Sequence, residues 1–202
     1  ENTKQYSAAI VAYRKAIFLC HKPSSYLYLC IGSVLIRTKA QKEGIGYIKK
    51  SIKLKKTHEA YRELGWAYFK SGQDRQGAES FERSLQIKPD WKSYHGLGRC
   101  LFNLGKHSEA IYYLRKSIEH RGRPWQSYRS LGWALYNTQE YQKALPMFLK
   151  SSEMKHDWST YRGLGCTLLK LNQFDPSIRY LQISNQMRED WRTHLTLGIA
   201  FL

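Results

Sequence analysis

Two pairs of side chains with matching spacing stand out. Arg62 precedes Trp66 by four residues, and Arg129 precedes Trp133 by four. On a helix that spacing places both members on one face. A guanidinium over an indole stacks, contributing roughly 0.5–1 kcal/mol at an exposed site. Its planar fork also matches a carboxylate or a phosphate. His95, Arg99, Arg162, Lys70, Lys92 and Lys170 recur at related positions and add cationic or hydrogen-bonding groups. Asn103 and Asn137 carry amides able to grip an extended peptide backbone.

Nothing comparable points to catalysis. None of the seven histidines has metal-ligand spacing with a cysteine or with a second histidine on one helical turn. There is no phosphate loop and no GxSxG. The Gly-x-Gly in "GLGRC" and "GLGCT" falls inside helical patterns, not at a strand-to-helix turn. Cys20, Cys30, Cys100 and Cys166 are far apart and form no Cys-x-x-Cys pair, so they read as free thiols of a reducing, cytoplasmic compartment. The expectation is a non-enzymatic chain with no cofactor and no bound metal. No apolar run approaches the roughly 20 residues of a membrane span.

Lys plus Arg is 33 and Asp plus Glu is 16, a formal net charge of +17. That balance favours acidic partners: acidic peptides first, then nucleic acid, anionic lipid or anionic glycans. A solvated basic surface is the alternative reading.

The elements that must position these residues are repeated. Gly32, Gly65, Gly98, Gly132, Gly165 and Gly198 follow one another at steps of 33, 33, 34, 33 and 33. Four residues before them stand Tyr28, Tyr61, Tyr94, Tyr128, Tyr161 and His194, and Trp91, Trp125, Trp158 and Trp191 lie three residues earlier still. Within one period, Trp91, Tyr94, Leu97, Leu101 and Leu104 have helix spacing, and Ala110, Ile111, Leu114 and Ile118 form a second helical stripe. Gly105 between them suits a left-handed C-cap. Ser51, Ser84, Ser117, Ser151 and Ser184 fill a small-residue slot nineteen positions after each glycine and read as packing positions. Pro146, inside the second helix over Tyr141–Met154, should kink that helix or delay its start. The predicted architecture is all-α, a stack of helix pairs: partial repeat 1–24, repeats 25–57, 58–90, 91–124, 125–157 and 158–190, and partial repeat 191–202. One helix pair cannot bury its apolar face alone, whereas stacked pairs can.

Tyr61, Leu64-Gly65, Tyr68, Gly77, Phe81, Ser84 and Pro89 resemble the signature of the tetratricopeptide repeat (TPR) family, as do Tyr94, Leu97-Gly98, Leu101, Ala110, Leu114 and Ser117. Gly77 and Gly44 replace the family's usual Ala, and most units lack the closing Pro. A pentatricopeptide array, with its longer period of about 35 residues, lacks this Leu-Gly core. The resemblance implies a right-handed superhelical solenoid of antiparallel helix pairs whose first helices line a concave groove. It places Arg62/Trp66, His95/Arg99, Arg129/Trp133 and Arg162/Cys166 inward, with Lys70, Asn103, Asn137, Lys170 and Lys92 beside them. Glu59 is the only carboxylate at these positions, so much of the excess charge is expected in the groove. Some members clamp a C-terminal carboxylate with a Lys and an Asn four residues apart; Arg62/Trp66 and Arg129/Trp133 depart from that clamp.

The combined reading is a scaffold that binds a protein or peptide, acidic as the charge balance favours, in a basic, aromatic groove. Two alternatives accompany it: the TPR arm of a larger enzyme such as a glycosyltransferase or sulfotransferase, and a polyanion binder, with nucleic acid the less favoured partner. The chain opens within a second helix and closes within a first helix, so it reads as a fragment whose uncapped ends self-associate. Lys15, Lys50, Arg83, Lys116 and Lys150 form a second basic column, read as a solvated face.

Overall fold

The computed structural model describes residues 2–38, 40–120 and 125–202. Among these, twelve helices and no strand are found. The chain divides into two compact units, Glu1–Leu104 and Gly105–Leu202.

The first unit contains α1 (Asn2–Leu19), α2 (Ser25–Arg37), α3 (Gln41–Leu54), α4 (His58–Lys70), α5 (Asp74–Ile87) and α6 (Trp91–Asn103). The second contains α7 (His107–Glu119), α8 (Trp125–Asn137), α9 (Tyr141–Met154), α10 (Trp158–Lys170), α11 (Phe174–Met187) and α12 (Trp191–Phe201). Within each unit, a helix packs on its chain neighbours, as α2 on α3, α4 on α5, α8 on α9 and α10 on α11. First helices also touch the next first helix in the stack: α4 meets α6, and α8 meets α10. The all-α stack of antiparallel helix pairs expected from the period is present.

The two helices of a pair start differently. The first helices α2, α4, α6 and α10 have side-chain caps: Thr57 Oγ1 accepts from Ala60 N at 3.2 Å, and Asp90 Oδ1 accepts from Lys92 N at 2.9 Å and Ser93 N at 3.2 Å. Second helices have no side-chain cap. Their entry is set by a tight turn with a left-handed residue: Gly72 at φ 71°, Gly105 at 77°, Gln139 at 62° and Asn172 at 59°. Gly105 takes the left-handed role its position suggested, and Gln139 and Asn172 adopt the same conformation with a Cβ. Pro146 does not delay its helix, since α9 begins at Tyr141 and runs through it.

Two devices hold successive helices together. The serines nineteen residues after each glycine are buried, as a packing role requires, but they are also hydrogen-bonded. Ser84 Oγ donates to His58 O at 2.8 Å, Ser151 Oγ to Trp125 O at 3.0 Å and Ser184 Oγ to Trp158 O at 2.8 Å. Ser84 also meets Ser93 Oγ at 2.9 Å, Ser117 meets Ser127 at 2.7 Å, and Ser151 meets Thr160 Oγ1 at 3.2 Å. At Ser84, Ser117, Ser151 and Ser184 the buried hydroxyl therefore finds a partner, which removes the cost of an unmade bond.

The second device is a ring held between glycines. A Cβ built on Gly65 would lie 2.8 Å from Phe81 Cε1, and one on Gly96 would lie 2.6 Å from Phe81 Cε2. Phe148 sits the same way, with Gly132 at 2.8 Å from Cε1 and Gly163 at 2.6 Å from Cζ. Phe81 and Phe148 are both 0% exposed.

Candidate functional site

On the first helices of the first unit, Arg62 and Trp66 share a face of α4, and Arg99 comes from α6. Trp66 is half-buried and meets Phe81 edge-on, ring centroids 5.1 Å apart, with Phe69 at 5.7 Å. The Arg99 guanidinium lies 5.9 Å from the Trp66 ring centroid and 4.3 Å from that of Phe69. The second unit repeats the arrangement. Trp133 on α8 meets Phe148 edge-on at 5.3 Å, and the Arg162 guanidinium of α10 lies 5.1 Å from the Trp133 centroid. In both units an indole is thus buttressed from below by a buried phenyl ring and stacked by a cation from the next repeat.

The arginines at the position three before the glycine are committed to aspartates. Arg129 Nη1 bonds Asp157 Oδ2 at 2.7 Å, and Arg162 Nη1 bonds Asp190 Oδ2 at 2.6 Å. Arg62 Nη1 lies 3.7 Å from Asp90 Oδ2 and its Nε 4.0 Å from Glu63 Oε1. These pairs are largely desolvated, the arginine side chains being 14–20% exposed and the aspartates 15–18%. Asp90 and Asp157 also cap the following first helix. One carboxylate therefore fixes a helix start and neutralises an arginine of the repeat before it.

This corrects the charge count made from the sequence. Glu59 is not the only carboxylate at this face, because three aspartates stand among the arginines. They lie eight residues before Gly98, Gly165 and Gly198, and each is followed by Trp: Asp90-Trp91, Asp157-Trp158 and Asp190-Trp191. That recurring dipeptide, 28 residues after Arg62, Arg129 and Arg162, was the available signal. Phe81, named only within the repeat signature, and Phe148, not singled out, support the two indoles.

His95 is 4% exposed and stands in the core, its ring centroid 5.7 Å from that of Trp66. A group so buried cannot line an open groove, and it leaves the candidate set. Asn103 is exposed and its Nδ2 donates to Asp74 Oδ1 at 3.1 Å. Lys70, Lys92, Asn137 and Lys170 are exposed. The helix-start tryptophans gather cations of their own: Trp125 has Arg129 at 4.8 Å and Lys155 at 4.6 Å, and Trp158 has Arg162 at 5.2 Å and Arg188 at 4.5 Å.

Two thiols face the interior of the first helices. Burial pushes the Cys100 thiol up to about 12, with Asp74 adding to the effect, and burial also raises Cys166. Neither is poised as a thiolate nucleophile. All four cysteines are free. Among the described residues no cluster of His, Cys, Asp and Glu could hold a metal ion, and no helix is long and apolar enough to cross a membrane.

Two family models, both described as tetratricopeptide repeat, match residues 58–91 and 92–120. No curated protein matches the chain. Among solved structures, the chain is similar to a chain of the Cut9–Hcn1 hetero-tetramer of the APC/C, at 17% identity and a TM-score of 0.86; the match covers 98% of this chain and 40% of that one. It thus spans about two-fifths of that chain's length. YrrB, described as a TPR protein with an unusual peptide-binding site, is 20% identical with a TM-score of 0.73, covering 96% of this chain and all of YrrB. Pseudomonas aeruginosa pilF is 16% identical with a TM-score of 0.78, covering 88% of this chain and 84% of pilF. At these identities the likeness is one of fold.

Proposed function

We propose, from the premise that the chain belongs to the tetratricopeptide repeat family, that this repeat scaffold holds an extended acidic protein segment against its first helices. The observation that carries the reading is an indole on a phenyl ring built twice, 67 residues apart, Trp66 with Phe81 and Trp133 with Phe148, each stacked by an arginine of the next first helix, Arg99 one residue after its glycine and Arg162 three residues before its own. A half-buried indole costs little further order to cover, and aromatic and Arg side chains dominate interface energetics. Because Arg62, Arg129 and Arg162 already hold aspartates, the attraction falls to the exposed cations Lys70, Lys92 and Lys170. The arginines orient the indoles and keep the surface rigid. YrrB, a TPR protein with a peptide-binding site, is a precedent for peptide binding on this fold.

The test uses the exposed lysines, since altering the paired arginines would also break their ion pairs with the capping aspartates. Fluorescence anisotropy is measured for a labelled peptide alternating Asp with Tyr. Lys70→Glu with Lys92→Glu should weaken binding at least tenfold. Lys53→Glu with Lys55→Glu, on the α3 end of the same unit, should weaken it less than threefold. Equal losses would mean that the charge acts as a general field and that the first helices are not the site.

A further inference from the structure

In the second unit, a cavity of about 450 Å³ opens between the second helices α7 and α9, above α8. Its floor is apolar: Ile118, Leu131, Leu135, Pro146 and Met147. The volume falls within the roughly 300–1,000 Å³ of ligand pockets.

The cavity has a cause in the sequence. In two other repeats, the residue nineteen positions after the recurring tyrosine is itself a tyrosine and lies against it. Tyr47 stacks on Tyr28 with centroids 6.2 Å apart, and Tyr180 stacks on Tyr161 at 6.1 Å. Opposite Tyr128 the position is Met147, and no such stack forms. Opposite Tyr61 it is Ser80, which leaves a smaller space of about 280 Å³ lined also by Gln76 and Glu79. Of these two spaces, the Met147 cavity is the larger and has the more apolar lining.

Its rim is basic. Glu119 is bonded to Lys116 at 3.1 Å, and Lys143 is bonded to Glu140 at 2.6 Å. Two rim cations remain: Arg115, whose charge helps to hold the Glu140 carboxyl below its usual range, and Lys150, whose Nζ lies over the Tyr128 ring at 5.9 Å. Pro146 has no N–H to offer the Gln142 carbonyl four residues back, so an acceptor at the cavity edge lacks its helical donor.

We propose that this cavity seats the apolar anchor of an acidic protein segment, one side chain of Phe or Leu size on Met147 and Leu135, with flanking carboxylates on Arg115 and Lys150. The charge of the rim selects the partner, and the missing tyrosine makes the room. This surface is separate from the first-helix site proposed above and does not depend on it.

The probe is a fluorescein-labelled heptapeptide with a central Phe flanked on each side by Glu-Asp-Glu, titrated with the full chain at two salt concentrations. Met147→Tyr supplies the ring that the equivalent positions already carry, so the fold should persist while binding falls at least tenfold. Arg115→Glu with Lys150→Glu should cost at least tenfold, whereas Lys70→Glu with Lys92→Glu should change affinity less than twofold. Binding of the central-Ser peptide as tightly as the Phe peptide would overturn the proposal, as would unaltered binding by Met147→Tyr. If either variant misfolds, the wild-type chain labelled at its methionine methyls decides. The peptide should shift Met147 and leave Met154 and Met187 unmoved; an unmoved Met147 overturns the proposal.

Discussion

Gly96→Ala is expected to destabilise the first unit even though it improves helix propensity. Ala is worth about 1 kcal/mol over Gly inside a helix. At Gly46, where a Cβ meets nothing within 4 Å, that gain should appear in full. At Gly96 the Cβ would stand 2.5 Å from Phe81 Cε1 and 2.6 Å from Cε2. Ordinary carbon contacts lie near 3.5–4.0 Å, so the ring must retreat by about 1 Å. It has little room to move, being 0% exposed, with Trp66 edge-on against it and Gly65 so close that a Cβ there would lie 2.8 Å from Cε1. Overpacking costs roughly 1–3 kcal/mol; with both sides closed the upper end applies, and subtracting the helix gain leaves a net loss of about 2 kcal/mol. Phe81→Leu alone should cost about 1–2 kcal/mol through the space it leaves. The double variant should lose less than the sum, because Leu114 and Leu181 already face Ser130 and Thr196 at the corresponding positions. Urea unfolding followed by circular dichroism reads the effect: with slopes of roughly 1–3 kcal/mol/M, Gly96→Ala should lower the midpoint by about 1 M while Gly46→Ala raises it. If Gly96→Ala stabilises as Gly46→Ala does, or if the two changes at Gly96 and Phe81 simply add, the ring is not clamped and the reasoning fails.

Asp157 has two separable roles. Asp157→Asn keeps an N-cap acceptor and loses the ion pair with Arg129, at about 1 kcal/mol, whereas Asp157→Ala loses both and should cost about 2–3 kcal/mol; equal losses in thermal or urea unfolding would show that the cap contributes nothing. Cys100, held near 12 by burial, should resist iodoacetamide at pH 8 until the chain unfolds, while exposed Cys20 reacts at once, as mass spectrometry of the labelled chain can show. The unfolded chain releases the Cys100 proton near 8.5 and the folded chain retains it to about 12, so this thiol's share of stability is intact below about 8.5 and erodes as pH rises from there. Labelling of Cys100 at the rate of Cys20 in native buffer would refute its burial.

The helices and the stack were legible because their signal is periodic. A glycine and an aromatic that return every 33 or 34 residues declare a repeated contact whatever the polar letters do. The serines were legible as small and buried, but their bonds to His58, Trp125 and Trp158 carbonyls were not, since a carbonyl has no sequence identity. The aspartates escaped for a different reason. They stand at N-caps, before the first residue of each helix, so counting positions on a helical face never reaches them. Their partners lie 28 residues earlier, on the preceding first helix. His95 entered the candidate set by register alone. At the place where arginine extends to a cap, the shorter imidazole ends inside the core.

The 67-residue echo that joins Arg62, Trp66, Phe81 and Gly96 to Arg129, Trp133, Phe148 and Gly163 links packing to recognition. An indole on the open face needs a flat support, and Phe81 supplies it edge-on. A ring of that size fits between helices only where the next first helix carries Gly96, since any Cβ there would strike it. Repeats without this half-buried tryptophan carry Ile48, Leu114 or Leu181 at the ring's position and have no glycine at the matching place in the next helix. Phenylalanine and its glycine therefore go with a half-buried tryptophan at this position. A substitution at Gly96, buried and remote from any partner, would displace Phe81, tilt Trp66 and release Arg99 from its stack. Binding on the first helices and stability of the stack rest on the same ring.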